Sequence, residues 1–354
     1  MANTNMNEPA LIDRLAGTTE ADWDAAVEAL LPEIHEVDRG AVQIWLRFYP
    51  LGFRRYVESA PDRDELVRSL ALQGDWDLAT QIDSSHHFLY GHRYWKSVKD
   101  VIAGRLRERV AGDPGLEDLI RDLADEISQA AKAPKALVTA ITIVGLMTAN
   151  QVGLDRFVAA PGTVTRPAGQ MAKSPDAIVA DRAKDDSQGL LGFLRTVDKK
   201  FSVHFLDSNG SGRFSLINDE EIASASGRDR SKDWKSRDPR CWEGVVPVEC
   251  RSASCGTCWV GVLGGQEKLA EVGRRERRQM KVFGYKQPEE AKPLLRLACQ
   301  AKAYGNVTIV IPPWNGVFGK KVYGNVEELE LEPATTSAKR LRETVKEVIS
   351  TTAE

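Results

Sequence analysis

The sequence predicts an α+β fold class, in which an all-helical domain precedes a domain that contains a sheet. Up to residue 157, apolar residues recur at the three- and four-residue spacing of helices, and alternating apolar and polar runs are few. From residue 201 onward, short runs rich in Val, Ile and Phe are separated by turn residues, as in strands. A length of 354 residues also exceeds what one core usually supports, about 250–300 residues. The predicted parts are a helical domain at 1–157, a linker at 158–190, a strand-containing domain at 191–332 and a C-terminal amphipathic helix or tail at 333–354.

The first helices can be placed from their caps and apolar positions. Thr18 or Thr19 precedes E-A-D-W-D-A-A-V-E-A-L-L and supplies an N-cap. The apolar side chains of this helix share one face: Trp23, Ala26, Val27, Leu30 and Leu31. Further helices are predicted over A-V-Q-I-W-L-R-F, D-R-D-E-L-V-R-S-L-A-L and G-L-E-D-L-I-R-D-L-A-D-E-I, with Pro50, Pro61 and Pro114 between them.

Residues 136–154 are apolar and uncharged over nineteen positions, which is close to the length that crosses a bilayer. The stretch also contains three threonines, an asparagine, a glutamine and two glycines, so its hydrophobicity is modest. Its flanks carry no charge pattern strong enough to set an orientation in a membrane. We therefore predict a buried central helix of the helical domain and no transmembrane span.

The overall composition is that of an ordinary globular protein, with 42% hydrophobic and 28% charged residues. A net charge of −3 indicates no particular partner. The opening M-A-N-T-N-M-N-E-P-A-L-I-D-R-L lacks a basic start followed by an apolar core, so no signal peptide is predicted. We expect a cytoplasmic protein, with association to a membrane-bound complex through partners as a further option.

The linker and the second domain are read from turn residues and strand patterns. Residues 158–190 are rich in Pro, Gly, Ala and Ser, and S-Q-G-L-L-G-F-L-R near their end predicts a helical turn. F-S-V-H-F-L-D and R-F-S-L-I-N flank Asn209-Gly210, which predicts a hairpin. W-V-G-V-L and V-T-I-V-I-P predict two further strands. Between them, R-R-E-R-R-Q-M-K is predicted to continue a helix from E-K-L-A-E-V.

Three of the five histidines of the chain lie within the seven residues from His86 to His92. His86, His87 and His92, with Asp83, could hold haem or a second metal. The alternative is an aromatic segment that packs Phe88 and its neighbours and uses the histidines to satisfy buried polar groups. The spacing does not decide between the two, because His86 and His92 do not share a helical face. We favour the alternative, since ligand sets of this kind have no fixed signature.

Four cysteines define the main candidate site. Cys250, Cys255 and Cys258 stand in the order Cys-x4-Cys-x2-Cys, and Cys299 follows in L-A-C-Q. This is the plant-type spacing for a two-iron, two-sulfur (2Fe-2S) cluster held by four thiolates. The residues between the first three are small, which lets the chain wrap around a compact cluster and aim backbone N–H groups at its sulfurs.

Other uses of these thiols fit the pattern less well. A four-thiolate zinc site usually has two separate Cys-x2-Cys pairs, and only one such pair is present. Disulfides are disfavoured for crowded thiols in a chain without a secretory signal. The fifth thiol, Cys241, lies outside the pattern, and we interpret it as a small buried apolar residue beside Trp242.

Residues 195–332 resemble the plant-type 2Fe-2S ferredoxins. The resemblance is specific at the four cysteines and at R-L-A-C-Q, and it extends to W-V-G-V-L-G-G and to A-K-A-Y-G-N-V-T-I-V-I. It implies a β-grasp fold, a 2Fe-2S cluster on Cys250, Cys255, Cys258 and Cys299, and a role as an electron carrier. Two departures are visible: forty residues separate Cys258 from Cys299, and a charged segment precedes Cys250.

Three charged or amphipathic segments suggest contacts with other molecules. Arg228 to Arg240 mixes both signs and is interpreted as a solvated loop, with docking of a partner as the alternative. The basic run from Arg274 to Lys281 could offset the negative charge of a cluster or steer an acidic partner. Nucleic acid is disfavoured, because Glu276 interrupts the run and no aromatic platform accompanies it. The tail places Leu341, Val345, Val348 and Ile349 on one helical face, which predicts docking onto this chain or a neighbouring subunit.

The predicted function is therefore one-electron transfer through a 2Fe-2S cluster, not the conversion of a substrate. No G-x-G-x-x-G or Walker motif indicates a fused flavin or nicotinamide reductase. The expected partner is a redox protein or a larger oxidoreductase complex, such as a hydrogenase or dehydrogenase, docked through the helical domain. The alternatives are a two-centre subunit with haem or metal in that domain, and a structural docking subunit of such a complex.

Overall fold

The computed structural model describes residues 10–53, 56, 59–62, 78–108, 115–184, 199–207, 210–237, 241–285 and 290–312. Within these ranges the chain divides into a helical unit that ends at Ala180 and a second unit that begins at Asp181. Helices come first and a mixed sheet follows, so the predicted α+β fold class is confirmed. The division between the units falls inside the predicted linker at 158–190.

The helical unit is built from short and medium helices. Their bounds are α1 Leu11–Leu15, α2 Glu20–Leu30, α3 Glu36–Phe48, α4 Leu78–Ser84, α5 Trp95–Arg105, α6 Leu116–Ala131, α7 Lys135–Val152 and α8 Leu154–Ala159, and α9 Pro175–Ala183 crosses the division. The predicted N-cap of α2 is confirmed at Thr19, whose hydroxyl accepts from the backbone N–H of Asp22 while the Asp22 carboxylate accepts from that of Thr19. This reciprocal pair fixes where the helix begins.

Helix α7 forms the centre of the helical unit. Its residues from Leu137 to Ala149 are all buried, and they pack against α3, α5 and α6. The approach of α5 is close at Gly145, where a Cβ atom would lie 2.8 Å from Cδ1 of Ile102. Among the described residues α7 is the one helix long and apolar enough to cross a membrane, yet 78% of it is buried inside the protein. This burial is what we expect of the central helix of a domain.

The second unit contains a five-stranded mixed sheet in the order β2-β1-β7-β4-β5. Its strands are β1 Lys200–Asp207, β2 Gly210–Ile217, β4 Trp259–Gly264, β5 Leu295–Leu297 and β7 Val307–Val310, and β3 Glu220–Glu221 pairs separately with β6 Lys302–Ala303. The first hairpin joins β1 and β2 as predicted, while β1 and β7 run parallel at the centre. Helices α10 Ile222–Arg228, α11 Trp234–Arg237 and α12 Arg274–Val282 connect the strands.

The predicted helix over E-K-L-A-E-V is wrong. Only a 3₁₀ turn at Gln266–Lys268 forms there, and α12 begins at Arg274. The backbone in between makes sheet-like contacts: Leu269 bridges to Ala303, and the N–H of Ala270 donates to the carbonyl of Lys302 at 2.9 Å. Pairing with the β6 segment therefore takes the backbone groups that a helix would have used.

Several sequence predictions lie outside the described residues. These are the helix over D-R-D-E-L-V-R-S-L-A-L beyond Asp62, the helical turn in S-Q-G-L-L-G-F-L-R, and the amphipathic tail at 333–354 with Leu341, Val345, Val348 and Ile349.

Candidate iron-sulfur centre

Sheet pairing brings two of the four thiols together from distant parts of the sequence. Cys258 directly precedes β4, and Cys299 lies two residues beyond the end of β5. The two strands are antiparallel with Trp259 opposite Leu297, and the N–H of Ala298 donates to the carbonyl of Cys258 at 2.9 Å. The forty residues between Cys258 and Cys299 thus start and finish at the same end of the sheet.

The loop from Cys250 to Cys255 wraps around the first of these thiols. The backbone N–H groups of Ser252, Ser254 and Cys255 each donate to Sγ of Cys250 at 3.4 Å. Two residues of this loop and the glycine that follows it have left-handed backbone conformations, at φ 55° for Arg251, 62° for Ala253 and 70° for Gly256. Such angles cost a residue with a side chain about 1–2 kcal/mol. Strain of this kind persists where the surrounding structure enforces it, and here it aims three donors at one sulfur.

The four thiols form two pairs. The Cys255 thiol donates to Cys250, which lowers the pKa of Cys250 to about 3 and raises that of Cys255. In the same way the Cys258 thiol donates to Cys299, so the pKa of Cys299 is lowered and that of Cys258 is raised. Among the described residues no three His, Cys, Asp or Glu side chains converge as ligands of one ion. Two thiols for each of two irons is the arrangement that a 2Fe-2S cluster requires.

The surroundings of the thiols also fit a cluster. Cys250, Cys258 and Cys299 are buried and Cys255 is half-buried, which leaves one edge of the site near the surface. The side-chain N–H of Gln300 donates to Sγ of Cys299 at 3.4 Å. Low exposure and N–H donors to sulfur are the features that stabilise iron–sulfur clusters in proteins and tune their potentials.

An ion pair fastens the loop to its surroundings. The Arg251 guanidinium binds the carboxylate of buried Glu243 and donates to the hydroxyl of Ser224 at 3.0 Å. The carbonyl of Arg251 in turn accepts from the side chain of Gln300 at 3.3 Å, next to Cys299. Arg251 therefore connects α10, the loop and the Cys299 segment. These contacts fix the position of the loop relative to Cys299.

An aromatic cluster covers the loop at Gly256. A Cβ atom at this position would lie 2.2 Å from Cζ of Phe283, so the ring occupies the space that any other residue would need. Phe283 and Tyr285 both pack edge-on against Trp259, the residue after Cys258, at centroid distances of 6.0 and 4.9 Å. These rings exclude water from one side of the loop.

A buried ion pair fixes α12 to β5. The Glu276 carboxylate accepts from Nε of Arg296 at 2.9 Å, from its Nη2 at 3.0 Å and from the N–H of Leu297 at 2.7 Å. Both side chains are fully buried. Sequence reasoning missed this contact and strand β5 with it, although an arginine inside the apolar run L-L-R-L-A was a visible signal.

The histidines of the helical unit are joined in a hydrogen-bonded chain. His86 Nε2 lies 3.2 Å from the carbonyl of Ile82, which accepts, so Nε2 carries the proton and Nδ1 is an acceptor. His92 Nδ1 lies 3.0 Å from that acceptor and donates to it, and His92 Nε2 accepts from the N–H of Thr165 at 2.8 Å. These tautomers follow from the network of partners. Every ring nitrogen of His86 and His92 is thereby engaged, so neither has a lone pair to offer a metal.

The histidine segment also forms hydrogen bonds with residues near the start of the predicted linker at 158–190. Asp83 accepts from Nε1 of Trp95 at 2.9 Å and from the N–H of Thr163 at 2.7 Å, and His87 Nδ1 lies 2.9 Å from the carbonyl of Ser84. Burial lowers the pKa of His86 well below its usual value and that of His92 to about 4. Because His86 and His92 are neutral and hydrogen-bonded at both ring nitrogens, the structure favours the packing interpretation of the segment with Asp83, His86, His87 and His92 over a second metal or haem site.

The segment that contains the cysteine site matches a known protein family. A family model described as a 2Fe-2S iron-sulfur cluster binding domain matches residues 243–304. The matched segment contains all four cysteines of the two pairs. The second unit carries a 2Fe-2S domain of the ferredoxin type. The predicted cofactor is confirmed, and with it an electron-transfer role. No curated protein and no solved structure matches the chain, and the helical unit lies outside the matched segment.

Proposed function

We propose that this protein is a one-electron carrier, or the electron-transfer subunit of an oxidoreductase, with a plant-type 2Fe-2S cluster bound by Cys250, Cys255, Cys258 and Cys299. The observation that carries the proposal is the geometry of the cysteine segments: three backbone N–H groups of the loop donate to Sγ of Cys250, and the pairing of β4 with β5 brings Cys258 beside the Cys299 segment. Two thiolates for each of two irons is the ligand set of such a cluster. The Cys-x4-Cys-x2-Cys spacing supports the plant-type assignment.

The residues around the thiols have separable roles. When bound, a 2Fe-2S cluster accepts and releases one electron, with no bond made or broken in a substrate. The N–H groups of Ser252, Ser254 and Cys255 donate to Cys250 and stabilise negative charge on its sulfur. Phe283 keeps water from the loop at Gly256. With ligands and donors of this kind, we expect a reduction potential of about −400 mV.

The helical unit is the part of the chain that we assign to docking. It has its own core around α7, and none of the four cysteines belongs to it. We propose that it attaches the cluster domain to a larger oxidoreductase complex in the cytoplasm, with a hydrogenase or dehydrogenase as the expected type.

The experiment that tests the proposal is an analysis of protein purified without oxygen. We expect about two irons and two acid-labile sulfides per chain. The broad visible absorption should bleach when dithionite is added. A colourless preparation with zinc in place of iron would refute the proposed function.

A further inference from the structure

Helix α12 presents a strongly basic surface close to the cysteine loop. The helix carries five cations and one acid. The acid, Glu276, is buried and paired with Arg296, so it does not offset the cations on the outer side. We call these cations the basic face: Arg274, Arg275, Arg277, Arg278 and Lys281. Arg274, Arg275 and Lys281 are exposed, and the other two are half-buried.

The orientation of the basic face is fixed by the contacts on the opposite side of the helix. Glu276, Gln279, Met280 and Val282 are buried. The three hydrogen bonds that Glu276 accepts tie the first turn of α12 to β5, two residues before Cys299. Because these contacts hold the helix by its inner side, the basic face is a rigid part of the cluster domain.

The positions of two arginines work against the stability of the helix. Arg274 and Arg275 occupy its first turn, after Gly273, which makes no side-chain cap hydrogen bond. The N-terminus of a helix carries partial positive charge, so cations there are unfavourable and acids are preferred. The helix dipole and the two guanidinium groups instead add to one positive field. A binding role explains why cations stand at this end.

The basic face leads directly to the proposed redox site. Phe283 follows the last residue of α12 and lies against Gly256, between Cys255 and Cys258. A helix of nine residues is about 13 Å long, so every cation of the basic face lies within about 13 Å, measured along the helix axis, of the end of α12 that Phe283 follows.

We infer that the basic face of α12 is the docking surface for an acidic redox protein that exchanges the electron. The inference rests on the proposed function, since it identifies the partner of the same site. Glu276 is buried and does not interrupt the basic face, so its presence in the run is no reason to disfavour nucleic acid. An acidic protein is favoured because only a redox partner gains from the contact with the cysteine loop. Among the described residues the exposed large apolar side chains are Val164 and Tyr304, so α12 offers no ring on which bases could stack.

The test compares two variants with equal charge changes. Arg274→Glu with Arg275→Glu reverses the charge at the start of the basic face. The control, Lys200→Glu with Arg213→Glu, changes exposed cations of the same unit on β1 and β2. These strands lie toward the opposite edge of the sheet from β5. Each protein is reduced with dithionite, freed of excess reductant and mixed with an oxidant in a stopped-flow instrument.

The oxidants are hexacyanoferrate(III), hexaamminecobalt(III) and a purified acidic flavodoxin, each of which takes one electron from the reduced protein. At low salt the α12 variant should react about tenfold more slowly with hexacyanoferrate(III) and with flavodoxin, and faster with the cobalt cation. The control should match the unaltered protein, and high salt should remove the differences. Visible absorption of the cluster confirms that the variants are intact.

Two results would overturn the inference. One is equal rates for all three proteins with flavodoxin at low salt. The other is tight binding of duplex DNA that the α12 substitutions abolish, which would assign the surface to nucleic acid. A preparation that accepts no electron from dithionite would overturn the proposed function itself, and the docking inference with it. The two failures are therefore distinguishable.

Discussion

Single residues in the cysteine loop are fixed by backbone geometry as well as by chemistry. Gly256 has φ 70°, and a Cβ there would lie 2.2 Å from the Phe283 ring. We predict that Gly256→Ala destabilises the second unit by about 2 kcal/mol or more, because left-handed strain and a steric clash add together. Denaturant unfolding and retention of the visible absorption measure the effect.

Two further variants separate the clash from the strain. Phe283→Ala in the Gly256→Ala background should restore part of the stability if the ring is the obstacle. Gly273→Ala is the control, since its φ is −77° and nothing lies within 4 Å of the added atom. Equal stability of Gly256→Ala and Gly273→Ala would contradict the described packing.

The cysteines give the second prediction at this scale. Cys299→Ser should lose most of the bound iron, because one iron would be left with a single thiolate. Cys241→Ser should keep its iron, since the Cys241 thiol is buried and donates to the carbonyl of Val245 at 3.5 Å. Iron and sulfide analysis after anaerobic purification reports the result. Iron loss from Cys241→Ser equal to that from Cys299→Ser would show that the ligand set is assigned wrongly.

The sequence indicated these residues to different extents. The four cysteines were visible because ligand spacing is a local property of the chain. The left-handed conformations of Arg251 and Ala253 were not, since neither residue type marks such a position. The partner of Glu243 could not be read either, because an ion pair with Arg251 depends on how the loop folds.

At the scale of elements, α12 depends on one buried ion pair. Glu276→Gln removes the charge that pairs with Arg296 and leaves the guanidinium buried without its counterion. We predict a loss of about 3–5 kcal/mol in the free energy of unfolding of the second unit. As a control, Lys96→Ala removes an exposed pair with Asp100 in the helical unit. It should lower the free energy of unfolding of that unit by at most about 0.5 kcal/mol.

Replacing both partners tests the explanation. Glu276→Leu with Arg296→Met removes the two charges together, so much of the stability should return. A Glu276→Gln variant as stable as Lys96→Ala would mean that the pair does not anchor α12. Both measurements are denaturant unfolding curves at neutral pH.

The histidine segment predicts a dependence on pH. The pKa of His92 is lowered from 6.5 to about 4 in the folded protein, mainly by burial. The unfolded chain therefore binds a proton more readily than the folded one between these values. Stability is fully present above pH 6.5 and is lost as the pH falls toward about 4, by at most about 1.4 kcal/mol per pH unit for each such histidine.

A substitution checks this interpretation. His92→Gln should flatten the pH dependence of unfolding of the helical unit between pH 7 and 5, whereas His204→Gln on β1 should not. Unfolding curves followed by tryptophan fluorescence at several pH values measure the slope. A steeper slope in His92→Gln than in the unaltered protein would contradict a neutral, buried His92.

The helices and strands that the sequence predicts correctly are those that form from a local pattern of residues. The cap at Thr19 and the apolar face of α2 are local, and so is the β1–β2 hairpin, and these predictions are confirmed. The helix over E-K-L-A-E-V failed because the backbone of Leu269 and Ala270 pairs with the distant β6 segment. Strand β5 was missed because its charged residue, Arg296, has its partner on another element.

The whole molecule consists of a helical unit and a second unit that carries the cluster domain. The α+β order was predictable because the hydrophobic periodicity changes along the chain. The end of the helical unit was not, since the contacts of Thr163 with Asp83 and of Thr165 with His92 tie polar, loop-like sequence to the helices. What the helical unit binds depends on its surface, and periodicity gives no information about that.

A redox titration of the full chain, followed by electron paramagnetic resonance, tests whether the four cysteines hold one redox-active 2Fe-2S cluster. Spectra are recorded at fixed potentials, and the spins are counted against the protein concentration. We predict that a single signal grows as the potential falls through about −400 mV and reaches one spin per chain, as expected for one reduced 2Fe-2S cluster. A protein with iron bound but no signal on reduction, or with the signal retained after Cys258 and Cys299 are both replaced by serine, would contradict the account.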